Sequence, residues 1–124
     1  MIVGIGCDVA EFSVAEKFNW QSDQNQRSRI FSPYELLQYD KQKRLSYLTG
    51  RFAAKEAVLK CLGTGMYDGI SMKNIEIIQE ENGKPSIKLT GEVLKKSIDL
   101  GIKKWLVSIS HTLKNSTAFV IAEN

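Results

Sequence analysis

Two carboxylates, Asp8 and Glu56, sit where their surroundings give them chemical potential. In residues 2 to 8, strand alternation puts Val3, Ile5 and Cys7 on one face and Gly4, Gly6 and Asp8 on the other, so one face is bare until it reaches a charge. Glu56 lies in a proline-free stretch with an apolar rhythm of Leu45, Leu48, Phe52 and Leu59. At about 100° per residue it projects about 20° from Leu45 and about 60° from Leu59, on the edge of the core stripe. An uncompensated buried charge is costly, so Glu56 needs a partner. Lys60, one turn on, offers an i, i+4 ion pair; a metal ion is the other option. Asp8 has a plain alternative as a cap for a helix starting near Glu11. If the two carboxylates meet, a site with no His or Cys ligand suits magnesium, which takes one or two protein carboxylates and fills its shell with water and phosphate oxygens.

Further polar residues gather near chain turns. His111, the one histidine, ends a β-rich run in which Ser108 and Ser110 share a face; their hydroxyls can serve a phosphate or neighbouring backbone groups. Gly63 and Gly65 read as a helix cap and a turn, and equally as a loop that lets a nucleotide approach the backbone beside Lys60. Lys84 and Pro85 follow Asn82-Gly83, a strong hairpin signal.

The elements that must hold these residues are legible in outline. A first strand covers residues 2 to 8. Ser32-Pro33-Tyr34-Glu35 combines an N-cap serine, proline at the first helical position and a glutamate placed for a capping box, predicting a short helix to about Asp40. Lys43 to Leu62 predicts a central helix of about 30 Å, stopped by Gly63. Gly50 inside it costs about 1 kcal/mol relative to Ala, which suggests close packing on another backbone. Asn74 to Glu81 and Lys84 to Thr90 form an antiparallel pair, Glu92 to Leu100 a helix stopped by Gly101, and Trp105 to Ser110 and Ala118 to Ala122 two more strands. Gln21 to Arg29 is the most polar stretch and reads as a mobile connection. The order predicts one α+β domain over residues 1–124, a mainly antiparallel sheet packed on a long central helix.

Composition narrows the function classes. A chain of 124 residues with 43% hydrophobic residues can fold as one domain without disulfides. Its 17 Lys+Arg against 14 Asp+Glu give a net charge of +3, which favours acidic partners but lacks the basic and aromatic stripe of a nucleic-acid binder. Cys7 and Cys61 form no ligand pattern and read as buried thiols in a reducing, cytoplasmic compartment. No stretch approaches the roughly 20 apolar residues of a membrane span, and the N-terminus lacks a signal sequence.

Gly4-Ile5-Gly6-Cys7-Asp8 and Arg51-Phe52-Ala53-Ala54-Lys55-Glu56-Ala57-Val58-Leu59-Lys60 resemble the two signature motifs of the 4′-phosphopantetheinyl transferases. Gly63-Thr64-Gly65, Asn82-Gly83-Lys84-Pro85 and Val107-Ser108-Ile109-Ser110-His111-Thr112 are similar to the short, carrier-protein synthase branch, in order and across nearly the whole chain. The resemblance implies that Asp8 and Glu56 hold Mg2+ against the pyrophosphate of coenzyme A, with Lys60 beside the leaving phosphate. It further implies coenzyme A contacts from Arg51, Lys55, Lys60, Gly63, Gly65, Lys84, Pro85, Ser110 and His111. A serine of an acidic apo acyl carrier protein would accept the phosphopantetheine, and 3′,5′-ADP would leave. It also implies a homotrimer with sites between subunits.

One position departs from that pattern. Where the family usually has a docking arginine, this chain has Val14, so docking falls to Arg27, Arg29 or Lys17, or to an apolar contact through Phe12, Val14 and Phe18. Lys95, Lys96, Lys103 and Lys104 form a second basic cluster, equally readable as a solvated face. The rival readings are the same transfer onto a specialised carrier domain, and a coenzyme A-binding module without catalysis.

Overall fold

The alternation of residues 2 to 8 runs on to Glu11. In the computed structural model, which describes residues 1–64 and 69–124, β1 spans Ile2–Glu11 and is followed by a short helix α1, Ser13–Lys17. Next come α2 (Gln24–Ile30), α3 (Pro33–Gln42) and the central α4 (Leu45–Leu62). A 3₁₀ turn (Met72–Asn74) leads into β2 (Ile75–Gln79) and β3 (Pro85–Leu89). Helix α5 (Gly91–Asp99), β4 (Lys104–His111) and β5 (Asn115–Glu123) complete the described chain. Among the described residues all pairings are antiparallel, in two separate sheets ordered β1-β5-β4 and β2-β3.

The bare face of β1 is the buried one. A Cβ on Gly6 would lie 2.0 Å from the Ala57 carbonyl oxygen, and one on Gly4 would lie 2.7 Å from that of Cys61. The two glycines therefore let the backbone of α4 lie directly on the strand. Gly50, expected to make such an approach, instead meets side chains, with Ile109 Cγ2 at 3.0 Å. The apolar face of β1 points outward, which leaves Cys7 exposed rather than buried; Cys61 is half-buried and both thiols are free. Ala118, Val120 and Ala122 of β5 pack with Ala53, Ala57 and Val58 of α4 to form the main core.

A second core surrounds the first half of α4. Trp20 meets Phe31 and Phe52 edge-on, at ring-centroid distances of 5.1 and 5.2 Å. This cluster organises the polar stretch expected to be mobile. Asp23 caps α2 by accepting from the Asn25 and Gln26 amides, and the Arg27 guanidinium donates to the Trp20 and Gln21 carbonyls. Arg27 also lies over the Tyr39 ring. It is spent on the fold and is not the free docking cation that the sequence suggested.

The capping box of α3 forms as expected, with Glu35 N–H on Ser32 Oγ and Ser32 N–H on Glu35 Oε1. The β2–β3 hairpin turns more widely than a two-residue Asn-Gly loop. Glu80 accepts from the Gly83 amide and donates to the Lys84 carbonyl, with Gly83 at φ 87°, so the turn ends in a left-handed bulge residue.

Candidate active site

The strand–helix contact carries Asp8 to the last turns of α4. Asp8 faces the helix side of the sheet, opposite Ala118 of β5. There the Lys60 ammonium lies 3.1 Å from Asp8 Oδ1 and 2.8 Å from the Cys7 carbonyl oxygen. Asp8 thus pairs with Lys60 instead of capping a helix; α1 begins at Ser13 and has no side-chain cap. Glu56, one turn before Lys60, feels both groups. Burial pushes its carboxyl above the ordinary range, Asp8 pushes it further, and Lys60 partly offsets them. Two mutually repelling carboxylates beside one ammonium, which is bonded to Asp8, form a local negative site.

A groove of about 230 Å³ opens on the other side of α4. Its walls include Tyr47 and Arg51 of α4, Arg44 ahead of that helix, Gly83 and Pro85 of the hairpin, and His111 at the end of β4. The Arg51 guanidinium stacks over the Tyr47 ring at 4.2 Å. Arg51 Nε and the Tyr47 hydroxyl are both buried without a hydrogen-bond partner among the described residues, a cost that a polar ligand can relieve. Burial raises the Tyr47 phenol above its usual range, so it stays a neutral donor. Two cationic side chains, a phenol and an imidazole in one groove suit an anionic ligand with a ring or amide to stack.

The structure thus gathers Asp8, Glu56 and Lys60 in one place, and Arg51, Pro85 and His111 in another on the same helix. Lys84 lies beside Pro85 but faces a neighbouring cleft toward Lys104. Gly63 is the exposed left-handed cap of α4, and Gly65 lies outside the described residues. Ser110 shares its outward sheet face with Val9 and Thr117, opposite to Asp8, so one chain does not bring the two together. His111 also borders the shallow pocket on that outer face.

Lys55 requires a correction. Expected among the coenzyme A contacts, it is fully buried, with its ammonium 2.6 Å from Glu35 Oε1 and bonded to the Met72 and Ile75 carbonyls. All three of its protons are used inside the core, so it cannot touch a ligand in this arrangement. Arg44, Tyr47 and the pairing of Glu35 with Lys55 escaped the sequence reading. The basic run Lys41-Gln42-Lys43-Arg44 signalled the first, and a lysine within an apolar helical segment implied an acid elsewhere.

Residues 4–121 match the family model described as the 4′-phosphopantetheinyl transferase superfamily. The chain is 37% identical over 123 residues to a holo-[acyl-carrier-protein] synthase of Desulfovibrio desulfuricans, covering 99% of this chain and 98% of that protein. The crystal structure of a holo-[acyl-carrier-protein] synthase from Neisseria meningitidis superposes with a TM-score of 0.88 at 36% identity, each chain covered in full. The Helicobacter pylori synthase, solved in complex with coenzyme A, superposes at 0.82 with 28% identity, over 96% of this chain and 99% of that one. A match that runs from the glycine face of β1 through α4 to the last strand leaves no element of the site outside it, and the chain belongs to the 4′-phosphopantetheinyl transferase superfamily.

Proposed function

We propose that this chain is a holo-[acyl-carrier-protein] synthase: it moves 4′-phosphopantetheine from coenzyme A to a serine of apo acyl carrier protein and releases 3′,5′-ADP. The carrying observation is the meeting of Asp8, Glu56 and Lys60 where β1 crosses α4, on the same helix as the Arg51 groove. The bound coenzyme A of the Helicobacter relative supports the choice of donor. Residues 1–124 act as a single catalytic domain serving fatty-acid synthesis in the cytoplasm, a reducing compartment compatible with two free thiols.

The donor set fits Mg2+. Asp8 and Glu56 offer only oxygen, and a cation already balances Asp8 in the form of the Lys60 ammonium. Asp8 and Glu56 would hold the ion, which when bound neutralises charge on the pyrophosphate oxygens. In the transfer, the carrier serine oxygen gives up its proton to solvent water and bonds to the β-phosphorus as the bond to the bridging oxygen breaks. Lys60 stabilises the charge left on the departing phosphate. Arg51, Tyr47, Pro85 and His111 bind and orient the nucleotide end of the donor, with Lys84 and Gly63 at its margins.

Intact-mass spectrometry tests this reading. Apo acyl carrier protein incubated with this protein, coenzyme A and magnesium is expected to gain one phosphopantetheine, and none under chelation. No gain on any carrier by a folded protein that binds coenzyme A would leave only a binding module.

The outward face of the three-stranded sheet supports assembly into a homotrimer with sites between subunits. Ile5 and Val9 are 59% and 63% exposed, and Phe119 of β5 and Leu106 of β4 extend the same apolar face. Apolar patches of this kind mark interfaces. The pairing of that face with Ser110 and His111 supports a second subunit completing the site. Ile5→Glu should yield a monomer by sedimentation velocity and lose transfer with it; a trimer unaffected by this charge would place the interface elsewhere.

Carrier docking through α1 is apolar in character. Phe18 is 45% exposed, Lys17 lies against its ring, and Arg27 is turned inward. This favours a second reading in which the natural acceptor is a specialised carrier domain. Turnover on a standard and on a specialised apo carrier separates the two, and Val14→Arg is expected to raise kcat/KM on the more acidic one.

A further inference from the structure

The Glu35–Lys55 pair is more completely enclosed than a stability role explains. Both side chains are 0% exposed. Glu35 Oε1 accepts from Lys55 and from the Ser32 amide at 2.9 Å, while Oε2 accepts from the Ile77 amide at 2.8 Å. Lys55 spends its other protons on Met72 O at 2.9 Å and Ile75 O at 2.7 Å. The two side chains therefore tie four segments together: the start of α3, the middle of α4, the 3₁₀ turn and β2. Burial lowers the Lys55 pKa, and Glu35 opposes that shift. A buried ion pair rarely outperforms apolar residues of equal volume, so its presence calls for a job that apolar residues cannot do.

That job follows from the sheet topology. The β2–β3 hairpin is not hydrogen-bonded into the β1-β5-β4 sheet. Among the described residues no backbone ladder therefore fixes its distance from α4, and apolar packing of Ile75 and Ile77 is non-directional. Yet the groove depends on that distance, since Tyr47 and Arg51 stand on α4 and Gly83 and Pro85 on the hairpin. Arg51 lies one helical turn before Lys55, and Ile77 sits two residues before the end of β2. Directional bonds from α4 to the hairpin backbone are what the pair supplies.

We infer that Glu35 and Lys55 are a positioning pair that sets the spacing between α4 and the β2–β3 hairpin, and through it the affinity of the groove for coenzyme A. The inference rests on the assignment of the groove to that donor. Lys55 acts on the ligand without touching it, through the carbonyls of Met72 and Ile75. Lys55 adjoins Glu56 on α4 but turns about 100° from it, toward Glu35 and the carbonyls of Met72 and Ile75, so its loss acts on donor binding more than on the transfer step.

Calorimetric titration of coenzyme A, with no carrier protein present, reads the effect without turnover. Lys55→Met is expected to weaken binding about tenfold or more, with kcat at saturating donor within about threefold of the parent. Val93→Ala, buried in the main core on α5 away from the groove, serves as a control for lost stability and is expected to bind coenzyme A normally. The double variant Glu35→Leu, Lys55→Met leaves no unpaired charge in the core; its melting temperature should recover relative to Lys55→Met while donor affinity stays low. Should Lys55→Met fail to fold, the double variant carries the comparison. Normal coenzyme A affinity in the Lys55 variants, or an equal loss in Val93→Ala, overturns the inference and makes the pair purely structural. Arg51→Ala distinguishes the underlying assignment: if it weakens binding and the Lys55 variants do not, the positioning role alone fails. If neither weakens it, the groove is not the donor site and the inference falls with it.

Discussion

Glu56→Gln and Asp8→Asn should each lower transfer by about 10²- to 10³-fold, the loss that follows removal of one preorganised electrostatic group from a transition state, while the fold stands. The two variants differ in what they do to stability. Burial and Asp8 both disfavour the charged form of Glu56, so the neutral amide removes a penalty. Glu56→Gln is expected to melt at or slightly above the parent temperature. Asp8→Asn gives up an ion pair with a Lys60 side chain that is 53% exposed, which is worth no more than about 1 kcal/mol. Intact-mass assay of the carrier protein and thermal denaturation read the two effects separately. An inactive Glu56→Gln chain that is also strongly destabilised would assign Glu56 to the fold instead of the chemistry.

Gly6→Ala has the opposite signature, a loss of the fold itself. The added Cβ would lie 2.0 Å from the Ala57 carbonyl oxygen, a contact with helix backbone that no side-chain rotation relieves. Either α4 lifts from β1 or the strand breaks its pairing with β5, and both routes open the main core. Overpacking commonly costs about 1–3 kcal/mol; with backbone on both sides the cost should exceed about 3 kcal/mol, a large part of the roughly 5–15 kcal/mol that holds a domain. Gly4→Ala, at 2.7 Å from the Cys61 carbonyl oxygen, should come next. Gly50→Ala meets the movable Ile109 methyl group at 3.0 Å and gains helix propensity, so it should lie within about 1 kcal/mol of the parent. Urea denaturation of the three variants tests the ranking; equal stabilities would deny the strand–helix contact.

The sequence was most legible where local chemistry dictates local structure. Ser32-Pro33-Tyr34-Glu35 announced its own capping box, and the apolar rhythm through Leu48 and Leu59 announced α4. Less legible was anything decided by distant partners. Gln21 to Arg29 carries no apolar period, and its helix depends on Asp23 and on Arg27 reaching back to the Trp20 carbonyl. The fate of Lys55 depended on Glu35, 20 positions earlier, and a motif records residue types without saying which way a side chain turns. For Asp8 the pattern gave the face it shares with Gly4 and Gly6, but reading Cys7 as buried put the opposite face inside, whereas it is the bare face that admits the helix backbone. Which face of β1 would be inside was harder to see, since hydrophobicity alone favours burying Val3 and Ile5.

That inversion restricts how this lineage can change in length. β1 is read from both sides: its even positions from Gly4 to Ala10 face the helix and carry Asp8, while its odd positions form the apolar outer surface. One residue inserted or deleted between Gly4 and Asp8 would exchange the two sets at once, driving Ile5 or Cys7 into helix backbone and turning the carboxylate away from Lys60. The pairing already shifts register between Ile2 and Gly4, so length variation can be absorbed there, or beyond Glu11 where the strand gives way to α1. Between those limits substitution is open to selection, but a frame of fixed length is not.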